Sequence, residues 1–170
     1  MKVAILFSGG KDSSLALHKA RRFHDVVCLI SLIPESQESY MFHVPNIELT
    51  KAQAKAMELP LIQKRTKGEK EKELEDLKKA IILAREKFGI EGVVTGAIRS
   101  IYQAGRVQRV CDEIGLCCIN PLWLSDPIEI LNEIVRNNFE VIISGVFAYS
   151  LDEDYLGKVI DEKMIEKLRL

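Results

Sequence analysis

Eight consecutive residues, Val26–Ile33 (VVCLISLI), are apolar almost throughout. A strand with one wet face alternates apolar and polar side chains. This run does not, and burial on both faces is what a parallel sheet covered by helices imposes. Val3–Phe7, Gly92–Thr95, Leu116–Ile119 and Val141–Gly145 read as further strands, and Leu59–Gln63 as a weaker one. Amphipathic stretches lie between them. Asp12–Phe23 places Ala16, Leu17, Ala20 and Phe23 on one stripe. In Glu69–Phe88 the residues Leu74, Leu77, Ile81, Ala84 and Phe88 line one face, and the acids Glu73, Glu75 and Asp76 read as part of the charged opposite face. Ala104–Ile114 buries Val107, Val110, Cys111 and Ile114, and Ile128–Asn138 carries Leu131, Ile134 and Val135. Strands alternating with helices through right-handed crossovers give a doubly wound α/β sandwich, with an expected strand order of 3-2-1-4-5.

The first strand leads into Ser8–Ser14 (SGGKDSS) and then a helix. Gly9 and Gly10 let the backbone take positive φ and approach a ligand without a Cβ in the way. The unpaired N–H groups of the next helix point into that turn, with a dipole of roughly +0.5 charge behind them. Lys11 adds a full positive charge, and Ser8, Ser13 and Ser14 add hydroxyl donors. Asp12 is placed to hold Mg²⁺ on phosphates or to orient Lys11. The spacing is not that of a Walker A loop, G-x-x-x-x-G-K-[ST]. The competing reading is a glycine turn with a serine-rich helix cap.

In the expected strand order the chain reverses between the first and fourth strands. Ligands of open α/β sheets sit at such a point, at the carboxyl ends of the strands. Ser8–Ser14 follows strand one and Gly96–Gln103 follows strand four, so both face one crevice. Gly96 would give a nucleotide room, and Ser100, Tyr102 and Gln103 could reach the α-phosphate or an acceptor. Arg106 lies outside the apolar stripe of its helix, where it either clamps an anion bidentately or snorkels over the core. Arg109, further out, reads as solvated. His43, beside Tyr40 and Phe42, is either a substrate contact or a packed edge residue.

Composition narrows the function classes. The formal net charge is −1, so no basic surplus points to nucleic acid or an anionic membrane. The apolar run of the amino terminus is too short for a signal peptide, no stretch approaches a membrane span, and a cytosolic protein is expected. Of the four cysteines, Cys28, Cys111, Cys117 and Cys118, no two form a C-x-x-C pair. Cys117 and Cys118 should point to opposite sheet faces and cannot share a zinc ion, so all four read as buried free thiols.

The SGGKDSS segment on a strand–turn–helix resembles the PP-loop of the ATP pyrophosphatases, which implies ATP cleavage between the α- and β-phosphates. Further segments narrow the resemblance: ESQESYMFH at Glu35–His43, EKELEDL at Glu71–Leu77, GAIRSIYQAGRVQRVC at Gly96–Cys111 leading to PLW at Pro121–Trp123, and GVFAYSLDEDYLGKVID at Gly145–Asp161. Together they are similar to the diphthine–ammonia ligases, from residue 3 to about 161. The resemblance implies an ATP- and Mg²⁺-dependent ligase that adenylates the carboxylate of diphthine on translation elongation factor 2 and amidates it with ammonia. It implies ATP binding by Ser8, Gly9, Gly10, Lys11, Asp12, Ser13, Ser14 and Gly96, with Lys11 and Asp12 catalytic and Asp12 the candidate Mg²⁺ ligand. It raises Tyr40, His43, Glu75, Ser100, Tyr102, Gln103 and Arg106 to candidate substrate contacts. Two expected parts follow: a nucleotide-binding domain over residues 1–122 and a C-terminal extension on the acceptor side over 123–170. Family members carry a further segment of the form EGGE. This chain ends at Leu170, and is expected to bind ATP but amidate poorly or not at all. A tRNA-modifying PP-loop enzyme and a non-catalytic nucleotide-binding module stay open as alternatives. A homodimer stays open as the assembly.

Overall fold

The computed structural model describes residues 1–34, 47–66, 70–146 and 151–169. The chain forms two compact units, Met1–Trp123 and Leu124–Leu170.

In the first unit, strands β1 (Lys2–Leu6), β2 (Asp25–Pro34), β3 (Leu61–Thr66), β4 (Gly92–Val94) and β5 (Cys117–Ile119) form one sheet in the order β3-β2-β1-β4-β5. Every pairing is parallel. The helices of this unit are α1 (Lys11–Ala20), α2 (Thr50–Ala56), α3 (Lys70–Phe88) and α4 (Ile101–Ile114). Successive side chains of a strand point to opposite faces. Thus Ala4, Cys28, Ile30, Leu32, Ile62 and Val93 share one core cluster with Leu77 and Ile81 of α3 and Val107 and Val110 of α4. On the opposite face, Val3, Ile5, Leu29 and Val94 are fully buried, as are Leu15 and Ala16 of α1, which packs on β1, β2 and β4. Burial of both faces explains why β2 reads as an unbroken apolar run.

Several expectations need correction. Phe23 is 76% exposed, because α1 ends at Ala20 and the chain turns before the apolar stripe can reach it. Glu73 is fully buried, unlike the solvated acid that its neighbours suggest, whereas Glu75 is exposed and Asp76 half-buried. Helix α2 is short and rich in Ala and Lys, and carries no periodic apolar signal. Cys28 and Cys111 are buried, but Cys118 is only half-buried and Cys117 is exposed at the short β5 strand. The two neighbours do face opposite ways: Cys118 packs against the α3–α4 core cluster. Burial pushes the Cys28 thiol up to about 12. The hydrogen bond that Cys111 shares with Cys118 holds Cys111 well above the ordinary thiol range and lowers Cys118.

The second unit contains α5 (Pro127–Arg136) and α6 (Glu162–Leu168). Ile130, Leu131, Ile134, Ile160 and Ile165 are buried within it, while Val135 is half-buried. Asp126 caps α5 by accepting from the Ile128 and Glu129 N–H groups, and Asp161 caps α6 by accepting from Met164 N–H. Val141–Gly145 is not a strand. It makes one antiparallel bridge, Ile142 to Val159, and Ile142 is 54% exposed. Five residues with a single partner segment and no covering layer cannot bury both faces, so the run stays outside the sheet.

Candidate active site

The carboxyl end of β1 runs straight into Ser8–Ser14. Gly9 takes φ +78°, a left-handed conformation that glycine adopts without steric cost. The turn is held from inside. Gly10 N–H donates to Ser8 Oγ at 3.4 Å, Ser8 Oγ lies 3.2 Å from Ser13 Oγ, and Ser13 Oγ donates to the Gly10 carbonyl at 3.0 Å. Gly10 is the N-cap of α1, and no side chain caps that end. The leading N–H groups of α1 are therefore available to an anion. Lys11 Nζ donates to both carboxylate oxygens of Asp12, at 2.8 and 2.9 Å, and each side chain is about a third exposed.

The turn after β4 comes against this loop. A Cβ built on Gly96 would sit 2.9 Å from both the Asp12 carbonyl carbon and the Ser13 nitrogen. Gly96 thus admits the backbone of α1 rather than only the nucleotide for which the sequence assigned it. Thr95 shapes the same turn: its hydroxyl donates to Asn120 Oδ1 at 2.5 Å and accepts from Ala97 N–H at 3.1 Å. Asn120 Nδ2 in turn reaches Cys118 Sγ at 3.8 Å. Strands β4 and β5 are thereby tied together at their carboxyl ends.

Between the two turns lies a cavity of about 170 Å³. Ser8, Asp12, Ser13, Thr95 and Gln103 give it a polar side. Leu6, Ile30, Leu32, Ile47 and Val107 give it an apolar side. The wall belongs entirely to the first unit, at the junction of β1 and β4 where the strand order reverses.

Of the sequence-derived candidates, Ser8, Asp12, Ser13, Gly96 and Gln103 line this cavity, and Gly9, Gly10, Lys11 and Ser14 belong to the same loop and first helical turn. Ser100 caps α4, accepting from Gln103 N–H at 3.2 Å. Tyr102 is 40% exposed one residue before the cavity wall, and the Arg106 guanidinium lies 4.7 Å from its ring centroid. Arg106 is therefore half-buried over an aromatic face, between the two alternatives the sequence left open. Arg109 is solvated and paired with Glu113 at 3.3 Å. Glu75 sits on the exposed side of α3 and does not line the cavity. Tyr40 and His43 lie outside the described residues.

Two supports escaped the sequence reading. Gln53 of α2 donates from Nε2 to the Gly9 carbonyl at 3.0 Å. Asn120 holds Thr95. Neither stands in a recognisable motif, since their partners are 44 and 25 residues away.

Asp12 is a single carboxylate, and no cluster of three His, Cys, Asp or Glu side chains that could hold a metal occurs among the described residues. A lone carboxylate about a third exposed beside the loop is the kind of ligand through which Mg²⁺ is held together with substrate phosphates and waters.

Residues 1–118 match the family model described as the diphthamide synthase N-terminal domain, and residues 126–170 match the diphthamide synthase C-terminal domain. The diphthine–ammonia ligase of Mus musculus is 35% identical over 182 residues, covering 95% of this chain and 68% of the relative. The Homo sapiens enzyme of the same name is 34% identical, with the same coverage. Among solved structures, a protein described as a predicted subunit of tRNA methyltransferase from Methanocaldococcus jannaschii shares the fold. Its TM-score is 0.54 at 20% identity, covering 79% of this chain and 76% of that one. With a PP-loop on a 3-2-1-4-5 parallel sheet and these relatives, the chain belongs to the diphthine–ammonia ligase family of ATP-dependent, amide-forming ligases.

Proposed function

We propose that this chain binds ATP across Ser8–Ser14, transfers the adenylyl group to the carboxylate of diphthine on elongation factor 2, and passes the activated acyl group to ammonia. The observation that carries this reading is the uncapped α1 N-terminus with its glycine turn, opening beside a cavity at the point where the strand order reverses. The relatives' name supplies the acceptor and the amine. At about 170 Å³ the cavity is smaller than the roughly 300–1,000 Å³ pockets that enclose drug-sized ligands. It would take the apolar base end of a nucleotide, leaving the charged end over the open loop.

In the adenylyl transfer, a carboxylate oxygen attacks the α-phosphorus, the bridge to the β-phosphate breaks, and pyrophosphate leaves with the electron pair. Ammonia then attacks the acyl carbon, AMP leaves, and the new amide nitrogen loses a proton. Bound at Asp12, Mg²⁺ would neutralise charge on the phosphates. Lys11 and the α1 N–H groups stabilise charge on the departing pyrophosphate oxygens, a preorganised electrostatic effect that needs no movement of protein dipoles at the moment of reaction. Gln103 borders the cavity, and Tyr102 and Arg106 lie on the first turns of the same helix. Arg106 is suited to the acceptor carboxylate because a guanidinium pairs with it bidentately. No described helix is long and apolar enough to cross a membrane. We place the reaction in the cytoplasm, where the elongation factor works.

The test is to incubate the chain with ATP, ammonium and elongation factor 2 bearing diphthine. Amidation of the factor, at however low a rate, followed by peptide mass spectrometry and dependent on both ATP and ammonium, is the result that supports the assignment. Nucleotide turnover with an unmodified factor throughout would refute the assignment.

A further inference from the structure

We propose that Gln53 is a positioning residue that locks the Gly9–Gly10 peptide in the orientation able to bind phosphate. The proposal rests on the reading of Ser8–Ser14 as the ATP-phosphate loop, and adds to that loop a side chain from a different helix.

A peptide between two glycines has no Cβ on either flank, so both of its orientations are sterically accessible. In a planar trans peptide the C=O and N–H point in opposite directions. One orientation therefore aims the Gly10 N–H into the loop, and the flipped one aims the Gly9 carbonyl there, against any phosphate oxygen. The sequence of the loop does not choose between them. Gln53 does, because its Nε2 donates to the Gly9 carbonyl at 3.0 Å and draws that oxygen towards α2. The Gly10 N–H then lies on the other side, 3.4 Å from Ser8 Oγ.

Three further observations fit a lock rather than a passing surface contact. The Gln53 side chain fills the space beside Gly9 that a Cβ would need, so glycine and glutamine occupy the site together. Among the described residues its buried Oε1 has no hydrogen-bond partner, and the amide's hydrogen bond is the donation to the loop. Helix α2 is itself anchored beneath: Thr50, fully buried, donates to the Ile47 carbonyl at 2.5 Å and accepts from Gln63 Nε2 of β3 at 3.2 Å. The lock is thus fastened to the sheet.

The lock requires a donor at position 53. Gln53→Met keeps length and shape but cannot donate. Gln53→Glu offers an ionised acceptor, which repels the Gly9 carbonyl and attracts the Gly10 N–H if the peptide flips. The experiment titrates the wild-type chain and both variants with ATP and with inorganic pyrophosphate, alongside thermal melting and the ¹⁵N–¹H resonance of Gly10. Gln53→Met is expected to melt within a few degrees of wild type and to bind both anions about three- to tenfold more weakly, the scale of one neutral hydrogen bond. Gln53→Glu should be weaker by about a further tenfold, from the charge at the same position. The Gly10 resonance should shift on pyrophosphate addition in wild type and respond less in both variants. A Gln53→Met chain that binds ATP and pyrophosphate as wild type does overturns the lock, whatever its melting temperature. A wild type that binds neither anion overturns the phosphate-loop reading and the lock with it.

Discussion

Lys11 and Asp12 are adjacent in sequence and paired in space, with both carboxylate oxygens of Asp12 held by one ammonium. In the free loop each therefore screens the other, and a phosphate must compete for the cation. On the proposed function, Lys11 would meet phosphate oxygens once ATP is bound and Asp12 would be left to hold Mg²⁺. Removing either charge should cost turnover by about 10²–10³, the scale for losing one preorganised electrostatic group. Lys11→Ala and Asp12→Ala should still fold, since both side chains are about a third exposed at a helix start. Steady-state rates with circular dichroism check this, and an unchanged rate in a folded variant removes that residue from the mechanism. Tyr102 differs from this pair. Its ring carries Arg106 and stands beside the cavity wall rather than in it. Tyr102→Ala should lower amidation about tenfold, within the range of a partly desolvated cation–π contact, while changing ATP affinity little. If ATP affinity fell as far as amidation, Tyr102 would belong to the nucleotide site.

At the scale of elements, the loop depends on how closely β4 and α1 approach. Gly96 is where they meet, and a methyl there would lie against the Asp12 and Ser13 backbone, which cannot rotate away as a flexible side chain can. Gly96→Ala should destabilise the protein by about 1–3 kcal/mol, the cost of overpacking, and should weaken ATP binding as α1 is displaced. Urea unfolding and an ATP titration on one sample separate the two effects; full stability with full affinity would show that the contact relaxes freely. The sequence makes Gly96 conspicuous but not its reason, because the atoms it admits are about 84 residues earlier in the chain. The same limit governs the rest of what could be read. The period and apolarity of Val26–Ile33 identify a central strand, since burial on both faces leaves a local mark. SGGKDSS is legible because glycines, a lysine and hydroxyls act together over seven residues. Helix α2 leaves no such mark, and Gln53 is visible only once α2 is placed against Gly9. Val141–Gly145 shows the opposite failure: its apolarity suggested a strand, but apolarity alone supplies no neighbouring strand to pair with.

For the molecule as a whole, the proposed function ties the order of the sheet to the bond of ATP that is attacked. Reversal between β1 and β4 puts the phosphate loop and the α4 turn on two sides of one opening, with the apolar part of the cavity behind. A nucleotide with its base in that cavity and its terminal phosphates on the glycine turn spans the opening with its α-phosphate. On that proposal an acceptor arriving along α4, past Tyr102 and Arg106, would meet that phosphorus first. On the proposed reading the β- and γ-phosphates would lie in the cradle of N–H groups and Lys11, stabilised as a leaving group rather than presented for transfer. Turnover should therefore yield AMP and pyrophosphate in equal amounts, with ADP and inorganic phosphate as minor species at most. Anion-exchange chromatography of the spent nucleotide, with pyrophosphate assayed by an added pyrophosphatase, decides the matter. ADP as the main product would mean that the nucleotide lies the other way round, with its γ-phosphate at the opening, and that the placement of both base and acceptor is wrong.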